Sequence, residues 1–177
     1  MSATLYRIDK NDFQKIIDKP YDFGLFKITK GYEIFSQSFD GLQFVLSKGL
    51  DKINNELIEQ IFYPKSFCGE QIDFSNLEIE NLPADFDFER QPAFFNDPNT
   101  VSKIYDLLNS ITIEKFNESF DHNELNKQDI YPGNIWNNKQ EDDIAFNARH
   151  LVSEFENLKA IFKSAKENED YLLSYVG

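Results

Sequence analysis

The sequence predicts a single α+β domain over residues 1–177, in which a small sheet that includes the N- and C-terminal strands packs against several helices. Three observations predict this class. In residues 4–8 and 171–176, the residue types alternate from one position to the next, as is typical of a β-strand. Most segments between them carry apolar residues at helical spacing. A chain of 177 residues, 41% of them hydrophobic, can bury a core without disulfides or metal ions.

The first half of the chain predicts three helices. Asp9 is a typical N-cap, and Phe13, Ile16 and Ile17 follow at helical spacing before Pro20. A second apolar face contains Phe35, Phe39, Leu42, Leu46 and Leu50. Gly41 lies inside this face and costs about 1 kcal/mol relative to alanine. Either packing requires a small residue there or the helix begins later. A third stripe covers residues 53–62 and stops at Pro64.

The central part of the chain predicts loops, then two helices. Helical periodicity is absent over residues 66–96, which we interpret as loops with one or two short strands, at Ile72/Phe74 and Phe86/Phe88. Asp97-Pro98 is an N-cap followed by proline at the first helical position. A helix therefore follows, and another begins at Thr112. Residues 121–136 are predicted to be a polar loop.

The C-terminal part predicts a long helix with a narrow apolar seam, followed by a turn at 168–170 and a strand. Glu141, Asp142 and Asp143 lie at the predicted N-terminus of this helix, where the positive end of the helix dipole stabilises acidic side chains. Such a seam fits either a coiled-coil dimer or one helix packed on its own sheet. We favour the second, hence a monomer over a dimer. The seam comprises Ile144, Ala148, Leu151, Phe155, Leu158, Phe162 and Ala165.

The charge balance restricts the partners. The chain has 18 Lys+Arg against 31 Asp+Glu, a net charge of −13. This argues against nucleic acid and anionic membranes, both of which require clustered basic residues. It permits a basic protein partner or a cation. No apolar run is long enough to span a membrane. The single cysteine, Cys68, cannot form an intrachain disulfide, which predicts a cytoplasmic protein.

Motifs for common chemistries are missing from the sequence. Neither a phosphate-binding glycine loop nor a GxSxG elbow occurs, and we predict no cofactor. One cysteine and two histidines cannot form the common zinc sets unless carboxylates complete them. Cys68 with His122 would be a nucleophile and base only if folding joined them. We expect His150, just off the helical seam, to be half-buried and hydrogen-bonded. A non-catalytic protein is favoured over an enzyme.

Two segments are candidates for binding. Asp85, Asp87 and Glu89 alternate with two phenylalanines, which fits an ordinary half-buried strand or an acidic edge that docks a basic partner. Trp136 follows Tyr131-Pro132-Gly133 in the predicted loop. An aromatic side chain there either plugs the core or lines a binding cleft.

Several segments together resemble one family. The segment at 39–49, FDGLQFVLSKG, is similar to a family segment that usually reads Trp-Asp-x-Leu-His-Phe-x-Leu-Thr-Gly. Ile130-Tyr131-Pro132-Gly133 and Trp136 resemble an Ile/Tyr-Pro motif in the C-terminal part of the family's sequences, and residues 67–70 resemble the family's Leu-Gly-Gly turn. The last helix and strand resemble the C-terminal end of the family's sequences. The chain thus resembles the YfbM-like proteins, a bacterial family with a domain of unknown function. The resemblance implies a cytoplasmic α+β domain and no assigned activity.

Gln43 occupies the position where that family usually has histidine, and Phe39 replaces its tryptophan. Glutamine cannot titrate, so a general base at this position is excluded here. Gln43 can still form hydrogen bonds, which suits a binding or structural role. Two functions stay open. The first is a non-catalytic acidic protein-interaction module. The second is a small-molecule-binding protein or enzyme with a cleft near Asp40, Gln43, Tyr131 and Trp136.

Overall fold

One antiparallel sheet organises the computed structural model, which describes residues 1–20, 24–70, 92–139, 141 and 143–177. The strand order is β2-β1-β5-β4-β3, so the N- and C-terminal strands pair at its centre, as predicted. Leu5 lies opposite Ser174 in this central pair. The strands of the described residues are β1 (Ser2–Ile8), β2 (Gly31–Ser36), β3 (Ser66–Cys68), β4 (Ala93–Asn96) and β5 (Tyr171–Val176).

Helices surround this sheet, and several begin at the caps that the sequence predicts. Asp9, Asp97 and Thr112 each accept a backbone N–H from the first turn of the helix that follows. Of the helices in the described residues, none is long and apolar enough to cross a membrane. They are α1 (Lys10–Asp18), α2 (Leu25–Ile28), α3 (Phe39–Ser47), α4 (Lys52–Glu59), α5 (Pro98–Ser110), α6 (Ile113–Ser119), α7 (His122–Lys127) and α8 (Ala148–Asn168).

The larger core lies between α8 and one face of the sheet. The predicted seam residues of α8 from Leu151 to Ala165 are all 0% exposed. The Phe116 ring of α6 stacks on Phe155 with centroids 4.7 Å apart. Other parts of the same chain therefore cover this seam, which fits a helix that packs on its own sheet.

A smaller core covers part of the opposite sheet face. Phe13 and Ile16 of α1 pack there with Leu173 of β5 and Ala93 of β4. The Phe13 ring is stacked on Tyr171 with centroids 3.7 Å apart. The domain thus has three layers, with the sheet between α1 on one side and α8 on the other.

The predicted helical face at residues 35–50 was wrong at its start. Phe35 lies in β2, and α3 begins at Phe39. A positive φ of 60° at Gln37 separates the two elements. The rings of Phe35 and Phe39 both contact Phe62, with centroids 5.3 and 5.7 Å away. The two rings come from different elements and enter the same core. Their separation of four residues in the sequence therefore resembles the spacing of a helix.

Two further boundaries were also wrong. The predicted polar loop at 121–136 contains α7, whose cap Asp121 accepts the N–H groups of Asn123 and Glu124. The long helix begins at Ala148 rather than Ile144, because Asn147 is its N-cap and Phe146 has a φ of 59°. Glu141 and Asp143 consequently precede the helix. Asp142 and the predicted alternations at Ile72/Phe74 and Phe86/Phe88 lie outside the described residues.

The substitution Phe155→Ala tests the core that α8 forms. The ring is fully buried and stacked on Phe116, so its removal should lower the free energy of unfolding by about 3–5 kcal/mol. Urea melts at several protein concentrations measure this loss, with the exposed Glu156→Ala as control. A loss below about 1 kcal/mol would refute the burial. A wild-type midpoint that rises with concentration would indicate a dimer instead.

Candidate functional site

An open groove of about 410 Å³ lies between α3, α4 and the turn that follows α7. Three of the four residues that the sequence predicts for a cleft, Asp40, Gln43 and Tyr131, line this groove together. Trp136 is not among its lining residues. The groove is lined by Asp40, Gln43, Phe44, Ser47, Glu59, Asp129, Ile130 and Tyr131.

Helix α3 supplies half of the lining through its periodicity. Positions 40, 43, 44 and 47 are three or four residues apart and share one helical face. The other face buries Phe39, Leu42, Val45 and Leu46 in the core. Phe44 and Ser47 could thus have been found by extending the face that contains Asp40 and Gln43. Glu59 and Asp129 could not, because only the tertiary fold brings them there.

The opposite side of the groove is a turn with unusual backbone geometry. Asp129 has a φ of 51°, and the Tyr131–Pro132 peptide bond is cis. Gly133 has a φ of 83° and donates its N–H to the carbonyl of Ile130 at 2.9 Å. Residues 129–131 of this turn line the groove together with α3.

Trp136 supports both sides of the groove from within the core, where it is 2% exposed. Its Nε1 donates to the Ile130 carbonyl at 2.9 Å, and the Asn126 side chain bonds both its N–H and its carbonyl. On α3, a Cβ at Gly41 would overlap the Cη2 and Cζ2 atoms of the indole. Packing therefore requires the small residue, one of the two alternatives that the sequence left open for Gly41. Trp136 is a core plug.

The groove is acidic. Three of its lining residues are carboxylates, Asp40, Glu59 and Asp129, and none of the described lining residues is lysine or arginine. Burial raises the pKa of Asp40, whereas a hydrogen bond from the Tyr63 hydroxyl opposes this rise. Burial and the Asp40 charge in turn raise the pKa of Tyr63.

Two cationic groups lie beside the groove and are already engaged. Lys48 pairs with Glu124, and its Nζ lies 5.2 Å from the centroid of the Phe44 ring. The amino group of Met1 donates to the Tyr131 hydroxyl at 3.0 Å. Neither of these two contacts involves a carboxylate of the groove.

Gln43 places an unused acceptor at this site. Its Oε1 is buried and has no hydrogen-bond partner in the described part of the chain. A buried acceptor without a partner costs about 1–3 kcal/mol. Because this oxygen is shielded from solvent, it does not face the groove space.

The other candidate groups are dispersed. Cys68 lies in edge strand β3 rather than in the predicted loop, and burial raises the pKa of its thiol, the opposite of nucleophile activation. His122 begins α7. His150 is half-buried; its Nδ1 accepts the N–H of Phe146 at 3.1 Å, and its Nε2 lies 3.4 Å from Glu154. Asp85, Asp87 and Glu89 fall within 71–91, outside the described residues.

Metal ligation finds no support in the described ranges. Among their His, Cys, Asp and Glu side chains, no group of three or more could hold a metal ion. The three carboxylates of the groove form no such group.

Comparison with known proteins agrees with this architecture. The family described as Domain of unknown function (DUF1877) matches residues 1–175. A crystal structure titled as a protein of unknown function, YfbM from Escherichia coli, is similar with a TM-score of 0.64. It shares 14% sequence identity, and the match covers 98% of each chain. No curated protein matches the sequence. The α+β fold and the family resemblance are thus confirmed.

The buried charge of Asp40 predicts a pH-dependent stability. Its pKa in the folded chain lies above the ordinary value of 3.8. At a pH between the unfolded-state and folded-state pKa, the folded chain therefore binds more protons than the unfolded chain. The stability contribution of Asp40 is therefore fully present below pH 3.8 and is lost as the pH rises through the folded-state pKa. We expect Asp40→Asn to raise the urea midpoint at pH 7, and the gain to shrink towards pH 3.8.

The control for this measurement is Glu118→Gln, which neutralises an exposed carboxylate on α6. We expect it to shift the midpoint little, by the same amount at both pH values. A destabilised Asp40→Asn variant at pH 7, or a gain that grows on acidification, would contradict the assignment of buried charge.

Proposed function

The chain belongs to the DUF1877 family, and we propose that this member is a non-catalytic acidic module that binds a basic protein. One observation carries the proposal. The groove between α3, α4 and the 129–131 turn presents three carboxylates and no described lysine or arginine lining. Such a site attracts a cationic side chain and repels an acidic one.

The charge of the whole chain supports the same partner. A net charge of −13 attracts a basic protein over distance and accelerates its encounter. The same charge disfavours nucleic acid and anionic membranes. Long-range attraction would bring the partner near, and the groove would fix its orientation.

The chemistry of the candidate groups supports binding rather than catalysis. Gln43 cannot exchange a proton at the groove. The raised pKa of the Cys68 thiol keeps it in the unreactive protonated form. The Nδ1 of His150 already accepts the backbone N–H of Phe146.

We further propose that the module works as a monomer in the bacterial cytoplasm. The α8 seam is covered within the chain, so this seam is not available to a second copy. The single cysteine fits a reducing compartment, and the similar YfbM structure is from Escherichia coli.

A small-molecule ligand or an enzymatic activity is the second candidate. The observation that favours it is Asp40, which lines the groove and whose pKa is raised by burial. A pH-dependent turnover that disappears in Asp40→Asn would support this second function over the first.

Neutralising the groove should abolish partner binding. We expect wild-type protein to retain a basic protein from a lysate of its source organism, and the variant Asp40→Asn/Glu59→Gln/Asp129→Asn to lose it. Affinity capture with mass spectrometry measures the difference. The matched control, Asp18→Asn/Glu118→Gln/Glu156→Gln, removes three carboxylates outside the groove and should bind as wild type does.

The matched control separates the groove from the total charge. Equal loss in both triple variants would mean that binding depends on net charge alone. Retention of the same basic protein by the groove variant, or capture of no basic protein by wild type, would overturn the proposal.

A further inference from the structure

We propose that strand β2 is a docking edge for an extended segment of a partner protein, which pairs antiparallel with β2 and alternates apolar with basic residues. The edge shares no described residue with the groove, so this inference does not rest on the proposed function. Three features of β2 carry it. They are backbone groups that no described strand uses, an exposed apolar patch beside them, and a carboxylate on the other face.

Half of the β2 backbone points away from the sheet. Among the described strands β2 pairs only with β1. Ser2 of β1 and Gly177 exchange both of their backbone hydrogen bonds, so positions 2, 4 and 6 of β1 direct their bonds towards β5. Positions 3, 5 and 7 therefore direct theirs towards β2, where they lie opposite positions 35, 33 and 31. The N–H and C=O groups of Tyr32 and Ile34 consequently point outwards, where the described residues offer them no hydrogen-bond partner.

An apolar patch adjoins this open edge on the sheet face opposite α8. We call it the β2 patch; it comprises Phe26, Tyr32 and Ile34, which are 75%, 52% and 48% exposed. The Phe26 ring of α2 packs edge-on against Tyr32 and against Tyr6 of β1, with centroids 6.4 and 6.0 Å away. Exposed apolar side chains that adjoin one another are typical of an interaction site. Because alternate residues of a strand share one face, an added strand would present every second side chain to this patch.

The other face of β2 selects the remaining side chains by charge. Glu33 lies opposite Leu5, a residue of the larger core, so it is on the α8 side of the sheet. It is half-buried, and no described lysine or arginine forms an ion pair with it. Burial and the charge of Glu154 on α8 raise the pKa of Glu33. A basic residue opposite Glu33 would occupy a closely spaced, non-hydrogen-bonded pair, in which opposite charges stabilise the sheet.

A second copy of this chain fits the edge less well than a basic segment does. In an antiparallel pair of two β2 strands, bonds between the outward groups of positions 32 and 34 would place the two Glu33 residues opposite or diagonal to each other. Like charges at such positions are destabilising. Glu33 thus protects the edge from self-association, as inward-pointing charges on edge strands do. The net charge of −13 adds to this repulsion and attracts a basic segment instead.

Two capped peptides test the charge selection by calorimetric titration of the full chain. The lysine peptide, Ac-Thr-Val-Lys-Val-Thr-NH2, places its valines on the β2 patch and its lysine opposite Glu33. The glutamate peptide has glutamate in place of the lysine. We expect the lysine peptide to bind at least about tenfold more tightly, because the glutamate peptide would bring a like charge to Glu33.

N-methylation of the lysine peptide tests the backbone pairing. The valines would lie opposite Tyr32 and Ile34, so their N–H groups would bond β2, whereas the lysine N–H would point to solvent. Methyl groups on the valine amides should weaken binding at least about tenfold, and a methyl group on the lysine amide should change it by less than about twofold. Hydrogen exchange measured by NMR should show new protection at the N–H groups of Tyr32 and Ile34. It should not change at Glu33, whose N–H already bonds β1.

Reversal of the charge on the edge completes the test. Glu33→Lys should reverse the preference, so that the glutamate peptide binds at least about tenfold more tightly than the lysine peptide. Glu118→Lys, which reverses an exposed carboxylate on α6, is the matched control and should keep the wild-type preference. Thermal melts confirm that each variant is folded.

Several results would overturn the proposal. They are a lysine peptide that fails to bind wild type at millimolar concentration, equal losses from the two kinds of N-methylation, and a preference that a folded Glu33→Lys variant retains. A dimer in which the N–H groups of Tyr32 and Ile34 are protected without peptide would assign the edge to a second copy and would likewise overturn it.

Discussion

The packing of the Trp136 indole against Gly41 determines where the groove lies. Helix α3 can approach the 129–136 segment this closely only because residue 41 has no side chain. The same indole bonds the carbonyl of Ile130, and Asn126 holds its backbone from α7. One buried side chain thus positions Asp40 and Gln43 on one side of the groove and Ile130 and Tyr131 on the other.

The groove carries unfavourable interactions that the rest of the domain must offset. Asp40 is an acid whose charged form is disfavoured by burial, and the Gln43 acceptor is buried without a described partner. Both would be better replaced by apolar residues if stability alone mattered. The stabilising terms lie elsewhere, in the fully buried seam of α8 and in the central pairing of β1 with β5. Departures of this kind from the most stable choice of residues are expected at functional sites.

Caps, helical periodicity and strand alternation in the sequence predicted the elements in which these patterns are strong. Caps such as Asp9 and Asp97, the α8 seam from Leu151 to Ala165 and the terminal strands are confirmed, because propensity and periodicity agree there with the tertiary fold. Phe35 was misassigned because its spacing from Phe39 fits a helix, although only their shared contact with Phe62 creates that spacing. Helix α7 is short and polar, so its stability depends on the Asp121 cap and on Leu125 rather than on an apolar stripe.

Part of the candidate groove could be predicted from the sequence. The predicted cleft contained Asp40, Gln43, Tyr131 and Trp136. The first three line the groove, and Trp136 packs in the core, one of the two roles that the sequence left open for it. Glu59 and Asp129 had no local signal, since with 31 acidic residues any carboxylate is an uninformative candidate. Their role emerges only when α4 and the turn after α7 meet α3.

A double-mutant cycle on Gly41 and Trp136 tests most directly that one contact sets the groove. In the wild-type background, Gly41→Ala should lower the free energy of unfolding by about 1–3 kcal/mol, because its Cβ overlaps the indole. In a Trp136→Phe background, whose smaller ring leaves that space empty, the same substitution should be neutral or stabilise by up to about 1 kcal/mol, the helix propensity gain of alanine. Urea melts of the four proteins give both values. The same cost of Gly41→Ala in both backgrounds would show that the two residues are not coupled and would contradict this account.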